Sequence, residues 1–241
     1  MNLTIDIGNT CTKLVVFDND YPVHETICDG ELLPAINSIV EKYPISLCAW
    51  CSVRNNESET EELLQHFPFR SRQLRGDTEV PLPVAYQNRK TLGADRLAAV
   101  LGATALQPNE NLLIIDAGTC ITYDFVSAHH GYLGGNISPG LDMRLKALAH
   151  FTAKLPKVEA HGELPEIGKN TETAIRCGVI HGIAHEIEGY VDEMRLQHTD
   201  LKVFFTGGNG FDFTGRWAQQ PINEPLLVAR GLNRLLSLTS R

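Results

Sequence analysis

Two aspartates, Asp6 and Asp116, each close a short apolar stretch and open a small polar turn, in the segments LTIDIGNTCTK and LLIIDAGTCITYD. That pattern suits phosphate chemistry. Glycine has no Cβ to keep a phosphate off the backbone, and turn N–H groups and hydroxyls supply donors. A carboxylate at the strand end can hold a divalent cation such as magnesium through water. In the first segment the parts are Asp6, Ile7, Gly8, Asn9, Thr10, Cys11, Thr12 and Lys13, with Lys13 as a cation for phosphate oxygens. One such turn alone is first of all a β-hairpin, and the plainer reading of Lys13 is a solvated edge-strand lysine. The second copy tips the balance. Asp116-Ala117-Gly118-Thr119 repeats the pattern 110 positions on (116 minus 6), close to half of the 241 residues. So long a period is no solenoid. It implies two related domains whose hairpins face one nucleotide.

Other spacings carry less. Cys48 and Cys51 spell CxxC, but in a strand positions i and i+3 point to opposite faces, and no second pair completes a zinc site. His181 and His185 share a helical face without the HExxH order or an evident third ligand. His129-His130 falls in a turn after a strand and reads as a solvated loop. Thr206-Gly207-Gly208-Asn209-Gly210 follows an apolar strand, where a Gly-Gly pair is otherwise an ordinary strand-to-helix turn.

The elements that must position these residues alternate along the chain. After the first hairpin the sequence predicts a third strand over 24–28. A helix follows over 31–43, with Leu32, Leu33, Ile36, Ile39 and Val40 on one face. A buried strand over 45–53 leads to a helix over 57–67 whose acidic first turn suits the helix dipole. Pro81 and Pro83 keep 80–84 extended. An alanine- and leucine-rich helix is expected over 92–106, and 107–111 links the halves. The second half repeats the hairpin, adds a strand over 132–137 and a helix over 141–151, then a Pro- and Gly-bearing loop over 156–169. A long helix over 172–197, bent near Gly182, a strand over 201–205 and a final helix over 225–238 complete it. Hairpins followed by helix–strand alternation, twice, mean α/β with mixed sheets, divided into domains 1–108 and 109–241.

The chain as a whole narrows the partners. A net charge of −8 and a pI near 5.6 argue against general nucleic-acid binding. No apolar run is long enough for a membrane span, and the N-terminus reads as a strand with no secretory signal. Six cysteines without an export signal read as reduced thiols in the cytoplasm.

DIGNT at 6–10, GADR at 93–96, DAGTCITYD at 116–124, GGNISPGL at 134–141 and TGGNG at 206–210 occur in that order. The set resembles the type III pantothenate kinases, of the acetate and sugar kinase, heat shock and actin superfamily, over nearly the whole chain. The resemblance implies two duplicated ribonuclease H-like domains with mixed sheets facing a central nucleotide cleft. It also implies ATP-dependent phosphorylation of pantothenate to 4'-phosphopantothenate, the first step toward coenzyme A. ATP with Mg2+, a monovalent cation (K+ or NH4+) and a homodimer with its acceptor site at the interface belong to that expectation.

Residue by residue, the resemblance makes Asp6 to Lys13 the phosphate loop, Asp95 the catalytic base and Asp116 the monovalent cation ligand. Thr119 contacts ATP, and Thr206-Gly207-Gly208 forms the adenine-side turn. Tyr86, Gly93, Ala94 and Arg96 serve the acceptor. Thr171, in a pattern like Asn-Thr-x-x-Ala, reaches the pantothenate of a neighbouring subunit, with Thr173 the other candidate. A first-turn aspartate is kept ionised by the helix dipole, so Asp95 would orient the hydroxyl and take its proton late. The plainer readings stand beside these: Asp95 caps its helix and pairs with Arg96, Tyr86 is an amphipathic surface residue, and Thr171 is an N-cap. Arg89 stands where the family often has a proline, which puts the aim of Tyr86 in question. A non-catalytic regulatory protein on the same scaffold is the competing class, favoured by loss of Asp6, Asp95 or Asp116; all three are present.

Overall fold

The structure, a computed structural model, describes residues 1–208 and 219–238. In chain order the first half holds β1 (Asn2–Ile7), β2 (Thr12–Asp18), β3 (Tyr21–Cys28), α1 (Leu32–Val40), β4 (Leu47–Ser52), α2 (Glu57–Gln65), β5 (Arg70–Gln73) and α3 (Ala94–Leu106). The second holds β6 (Leu112–Ala117), β7 (Cys120–Ser127), β8 (Gly131–Pro139), α4 (Leu141–Phe151), α5 (Thr171–Gln197), β9 (Lys202–Thr206), β10 (Ile222–Asn223) and α6 (Leu227–Leu238). Two compact units result. One comprises Met1–Asn109, Val126–Gly134 and Leu226–Arg241, the other Glu110–Phe125 and Gly135–Pro225.

The first sheet runs β3-β2-β1-β4-β5. β2 is antiparallel to both β1 and β3, whereas β4 is parallel to β1 and to β5. Strand alternation sorts the side chains between two faces. Leu3, Ile5 and Ile7 join Leu14, Val16, Cys48 and Trp50 in one core, covered by Ile36 and Ile39 of α1 and Leu64 of α2. The other face carries Val15 and Phe17 against Ala229 of α6, and α6 packs along α3. Each fully buried Leu, Ile or Phe in such a core contributes roughly 1.5–3 kcal/mol through removal from water. Asp6 and Lys13 therefore belong to the α3–α6 face, at the end of β1 and the start of β2.

The second sheet repeats the strand order as β8-β7-β6-β9-β10, with β9 parallel to β6 and β10 parallel to β9. Its core sets Leu113, Ile115, Ile121 and Tyr123 against a stripe on α5: Ile175, Val179, Ile183, Ile187 and Val191. That strict i, i+4 repeat is one continuous face, and α5 runs as a single 27-residue helix past Gly182. The matching orders make these duplicated ribonuclease H-like domains of the α/β class. β5 and β10 were not expected from sequence: RSRQ has no apolar alternation, and β10 is two residues long.

Candidate active site

The first hairpin closes as a tight turn in which Gly8 N–H donates to Cys11 O at 3.0 Å, leaving Asn9 and Thr10 exposed. Across the strands Asp6 is opposite Lys13 on one side and Cys51 on the other. The buried Cys51 thiol donates to Asp6 Oδ1 at 3.5 Å. Burial and the nearby Asp95 carboxylate push Asp6 up to about 6, against the smaller opposing effects of the Cys51 hydrogen bond and the Lys13 charge. Asp6 and Asp95 thus feel each other as like charges in one place. Lys13 is not an edge-strand lysine, because β2 lies between β1 and β3. Its side chain is 26% exposed and reaches Glu25 at 3.8 Å.

Sequence reasoning passed over two residues from the end of β4. Discounting the CxxC was right about the faces: Cys48 joins the apolar core while Cys51 turns to Asp6. It missed that the second thiol orients a carboxylate. Arg54, two residues past β4, donates from Nε to Gly8 O at 2.7 Å and from Nη2 to Asn9 O at 3.3 Å. The signal for both is the β1–β4 register, which no local pattern encodes.

The acceptor-side residues gather at the start of α3. Gly93 is the N-cap and no side chain caps the helix, so Asp95 does not act as the cap. Its Oδ1 accepts from the Arg96 N–H at 2.8 Å. A Cβ on Gly93 would stand 2.5 Å from that same oxygen, so only glycine leaves the carboxylate its position. The Arg96 guanidinium lies 5.9 Å from the Tyr86 ring centroid, a cation–π contact that relates the two residues. Tyr86 follows a short join in which Ala85 N–H donates to Tyr132 O at 2.9 Å. Arg89, in place of a proline, donates from Nε to Gly76 O at 3.3 Å and from Nη2 to Thr78 O. A side-chain anchor does the stiffening that a pyrrolidine ring would otherwise do.

In the second unit Asp116 is the penultimate residue of β6, opposite Thr206 of β9. Gly118 N–H donates to Cys120 O at 2.9 Å, and Thr119 is exposed. Gly207 has φ +97°, and a Cβ there would lie 2.6 Å from both Ala117 O and Asp116 Oδ1. These are oxygen donors, the type a hard monovalent cation takes. Among the described residues no group of three or more His, Cys, Asp or Glu could hold a metal, His181 and His185 included. Asn209 and Gly210 of the TGGNG motif lie outside the described residues.

Elsewhere in the second unit Glu186 of α5 accepts from Tyr123 Oη at 2.7 Å and from Arg144 Nη2 at 2.6 Å. Burial pushes the Glu186 carboxyl up, but hydrogen bonds from Arg144, Tyr123 and Ser138 outweigh it and hold it below the usual range. The Tyr123 phenol is pushed well up by burial and by Glu186, and stays a donor. At the start of α5 the N-cap is Asn170, not Thr171. Asn170 Oδ1 accepts from Thr173 N–H at 2.8 Å, and the Thr173 hydroxyl accepts from the Asn170 N–H in return. Thr173 is 5% exposed and committed to this capping box, while Thr171 is exposed.

Two sheets of one strand order, each with an aspartate near the end of its first strand and a glycine turn after it, have the fold of the acetate and sugar kinase, heat shock and actin superfamily. Solved structures share the fold. A Campylobacter jejuni protein described as a Baf family transcriptional activator superposes with TM-score 0.65 at 23% identity, over 99% of this chain and 98% of its own. A Sinorhizobium meliloti protein described as a 2-dehydro-3-deoxygalactonokinase gives 0.58 at 15% identity, over 100% and 98%. A sequence model of the type III pantothenate kinases matches residues 2–193. The type III pantothenate kinase of Phocaeicola vulgatus is 43% identical over 100% of both chains. That of Bacteroides fragilis is 42% identical over 98% of each. The chain belongs to the type III pantothenate kinase family.

Proposed function

We propose that this chain transfers the γ-phosphoryl group of ATP to the primary hydroxyl of pantothenate, giving 4'-phosphopantothenate and ADP on the way to coenzyme A. The observation that carries the site assignment is the mutual effect of Asp6 and Asp95. It supports placing the phosphate-turn carboxylate and the first-turn carboxylate of α3 near enough to act on each other through their charges. In this reading the hydroxyl oxygen attacks phosphorus, the bond to ADP breaks, and the hydroxyl proton passes to Asp95. Asp6 would hold magnesium through water, which would neutralise phosphate charge and suits a carboxylate already carrying unfavourable like charge. Lys13 and the Asn9–Thr10 turn meet the phosphate oxygens. Arg96 offers a planar fork to the substrate carboxylate or the transferring phosphate, with Tyr86 bordering the acceptor.

Asp116 with the backbone carbonyl of Ala117 would hold K+ or NH4+, offsetting charge beside the triphosphate, and Thr119 would contact ATP. Thr206 to Gly208 would lie on the adenine side. Exposed Thr171, rather than Thr173, is the candidate to reach pantothenate in the partner subunit of a homodimer. Use of ATP and a coenzyme A precursor supports work in the cytoplasm. Among the described residues no helix is long and apolar enough to cross a membrane. Incubation with ATP, Mg2+ and pantothenate, with K+ or NH4+ in turn, followed by mass spectrometry, tests the reaction. No 4'-phosphopantothenate in either salt would overturn it.

A further inference from the structure

We infer that Arg54 is a positioning residue for nucleotide phosphate, acting by aiming the backbone N–H groups of the first hairpin turn. Its guanidinium grips two successive carbonyls, Gly8 O at 2.7 Å and Asn9 O at 3.3 Å. A trans peptide is planar, and its C=O and N–H point in opposite directions. Fixing Gly8 C=O therefore aims the Asn9 N–H the other way, and fixing Asn9 C=O does the same for the Thr10 N–H. Asn9 N–H donates to no group among the described residues. Arg54 thus holds two successive carbonyls on its own side and turns the Asn9 N–H, which has no partner among the described residues, to the opposite side, as an anion needs.

The clamp is itself held. Arg54 N–H donates to Ser52 Oγ at 3.0 Å, and the Ser52 hydroxyl donates to Asn56 Oδ1 at 2.9 Å. Val53 N–H donates to Ile7 O at 3.1 Å, which ties the end of β4 to the end of β1 beside the turn. Two carbonyls spaced along one backbone match the forked donors of a guanidinium and not the single point of an ammonium. No carboxylate pairs with Arg54 among the described residues, so its charge also adds to the field at the turn. Arg54 lines a cavity of about 190 Å³ that also touches Ile7 and Thr12, so truncating it leaves room for a small cation.

The inference rests on the reading of this hairpin as the phosphate loop, and the experiment separates the two. Calorimetric titration of the full chain with a non-hydrolysable ATP analogue and Mg2+ is compared for wild type, Arg54→Ala, Arg54→Lys and Lys13→Ala, alongside steady-state kinetics. Loss of charged hydrogen bonds predicts roughly ten- to hundredfold weaker nucleotide binding for Arg54→Ala. The KM for pantothenate should be nearly unchanged. Arg54→Lys should recover little, and added guanidinium should restore binding to Arg54→Ala but not to Lys13→Ala. Arg54→Ala binding like wild type while Lys13→Ala weakens would overturn the role of Arg54 alone. Both variants binding like wild type would overturn the hairpin reading with it. Full recovery by Arg54→Lys would reduce the residue to a point charge. Equal losses for both substrates without guanidinium rescue would reduce it to a structural part.

Discussion

Replacing Asp6 by Asn should stabilise the ligand-free protein near neutral pH even as it removes activity. The Asp6 carboxyl is pushed from its ordinary 3.8 to about 6, first by burial and then by Asp95. A folded-state value above the unfolded one means that the folded protein binds more protons between those limits. Its stability therefore falls as pH rises from about 4 to about 6, and the loss is complete above that. At about 1.36 kcal/mol per pH unit the interval corresponds to roughly 3 kcal/mol. Asp6 keeps some solvent contact, and screening leaves about 1–2 kcal/mol. Asn keeps an oxygen for the Cys51 thiol and carries no charge. In a chain of this size that gain raises the melting temperature by about 2–8 °C. Thermal unfolding of wild type and Asp6→Asn by circular dichroism from pH 4 to 8 reads it directly. The variant should melt higher at pH 7.5, with the difference closing toward pH 4. An Asp6→Asn protein that melts at or below wild type at pH 7.5, or with a pH-independent gain, would refute the reasoning.

Arg89→Ala should free the segment that carries Tyr86 and raise the KM for pantothenate by about tenfold, with the KM for ATP little changed; Arg89→Pro should recover part of the loss if stiffness is what matters. Gly207→Ala forces a side chain into φ +97° against Ala117 O and Asp116 Oδ1. It should cost at least about 2 kcal/mol, read as a lower melting temperature. Thr173→Val breaks the capping box and should cost about 1 kcal/mol by thermal unfolding, whereas Thr171→Ala should leave stability unchanged and lower activity. If acceptor sites are shared between subunits, mixing Asp95→Asn and Thr171→Ala chains should restore activity to one site of each mixed dimer, and absence of restoration would argue that the sites are not shared.

Much of this was legible because it is local. Turn chemistry at Gly8-Asn9 and Gly118-Thr119, apolar strands before each, and the alanine-rich run of α3 announce themselves within a dozen residues. Arg70–Gln73 did not. An edge strand of four polar residues owes its state to parallel pairing with β4, which alternation cannot reveal. The start of α5 was legible and misread: Asn170 and Thr173 stand at capping-box spacing, and that reciprocal pair outcompetes Thr171 for the cap. Cys51 and Arg54 differ again. Their partners are 45 and 46 positions away, and only the β1–β4 register places a thiol at Asp6 and a guanidinium on the turn.

That register also explains how the first unit tolerates its own carboxylates. Asp6 and Asp95 repel, and burial adds to the penalty. Lys13 on one neighbouring strand and the Cys51 thiol on the other each offset a part, from the two residues directly opposite Asp6. The offset is incomplete, since the carboxyl still sits near 6. Residual negative charge of this kind would favour a divalent cation arriving with phosphate, because the cation would remove repulsion as well as form bonds. If Asp6 takes magnesium as proposed, the same residual charge that lowers stability above pH 6 would also draw the cation to it. Strengthening the protein at Asp6 and keeping its activity are therefore opposed requirements.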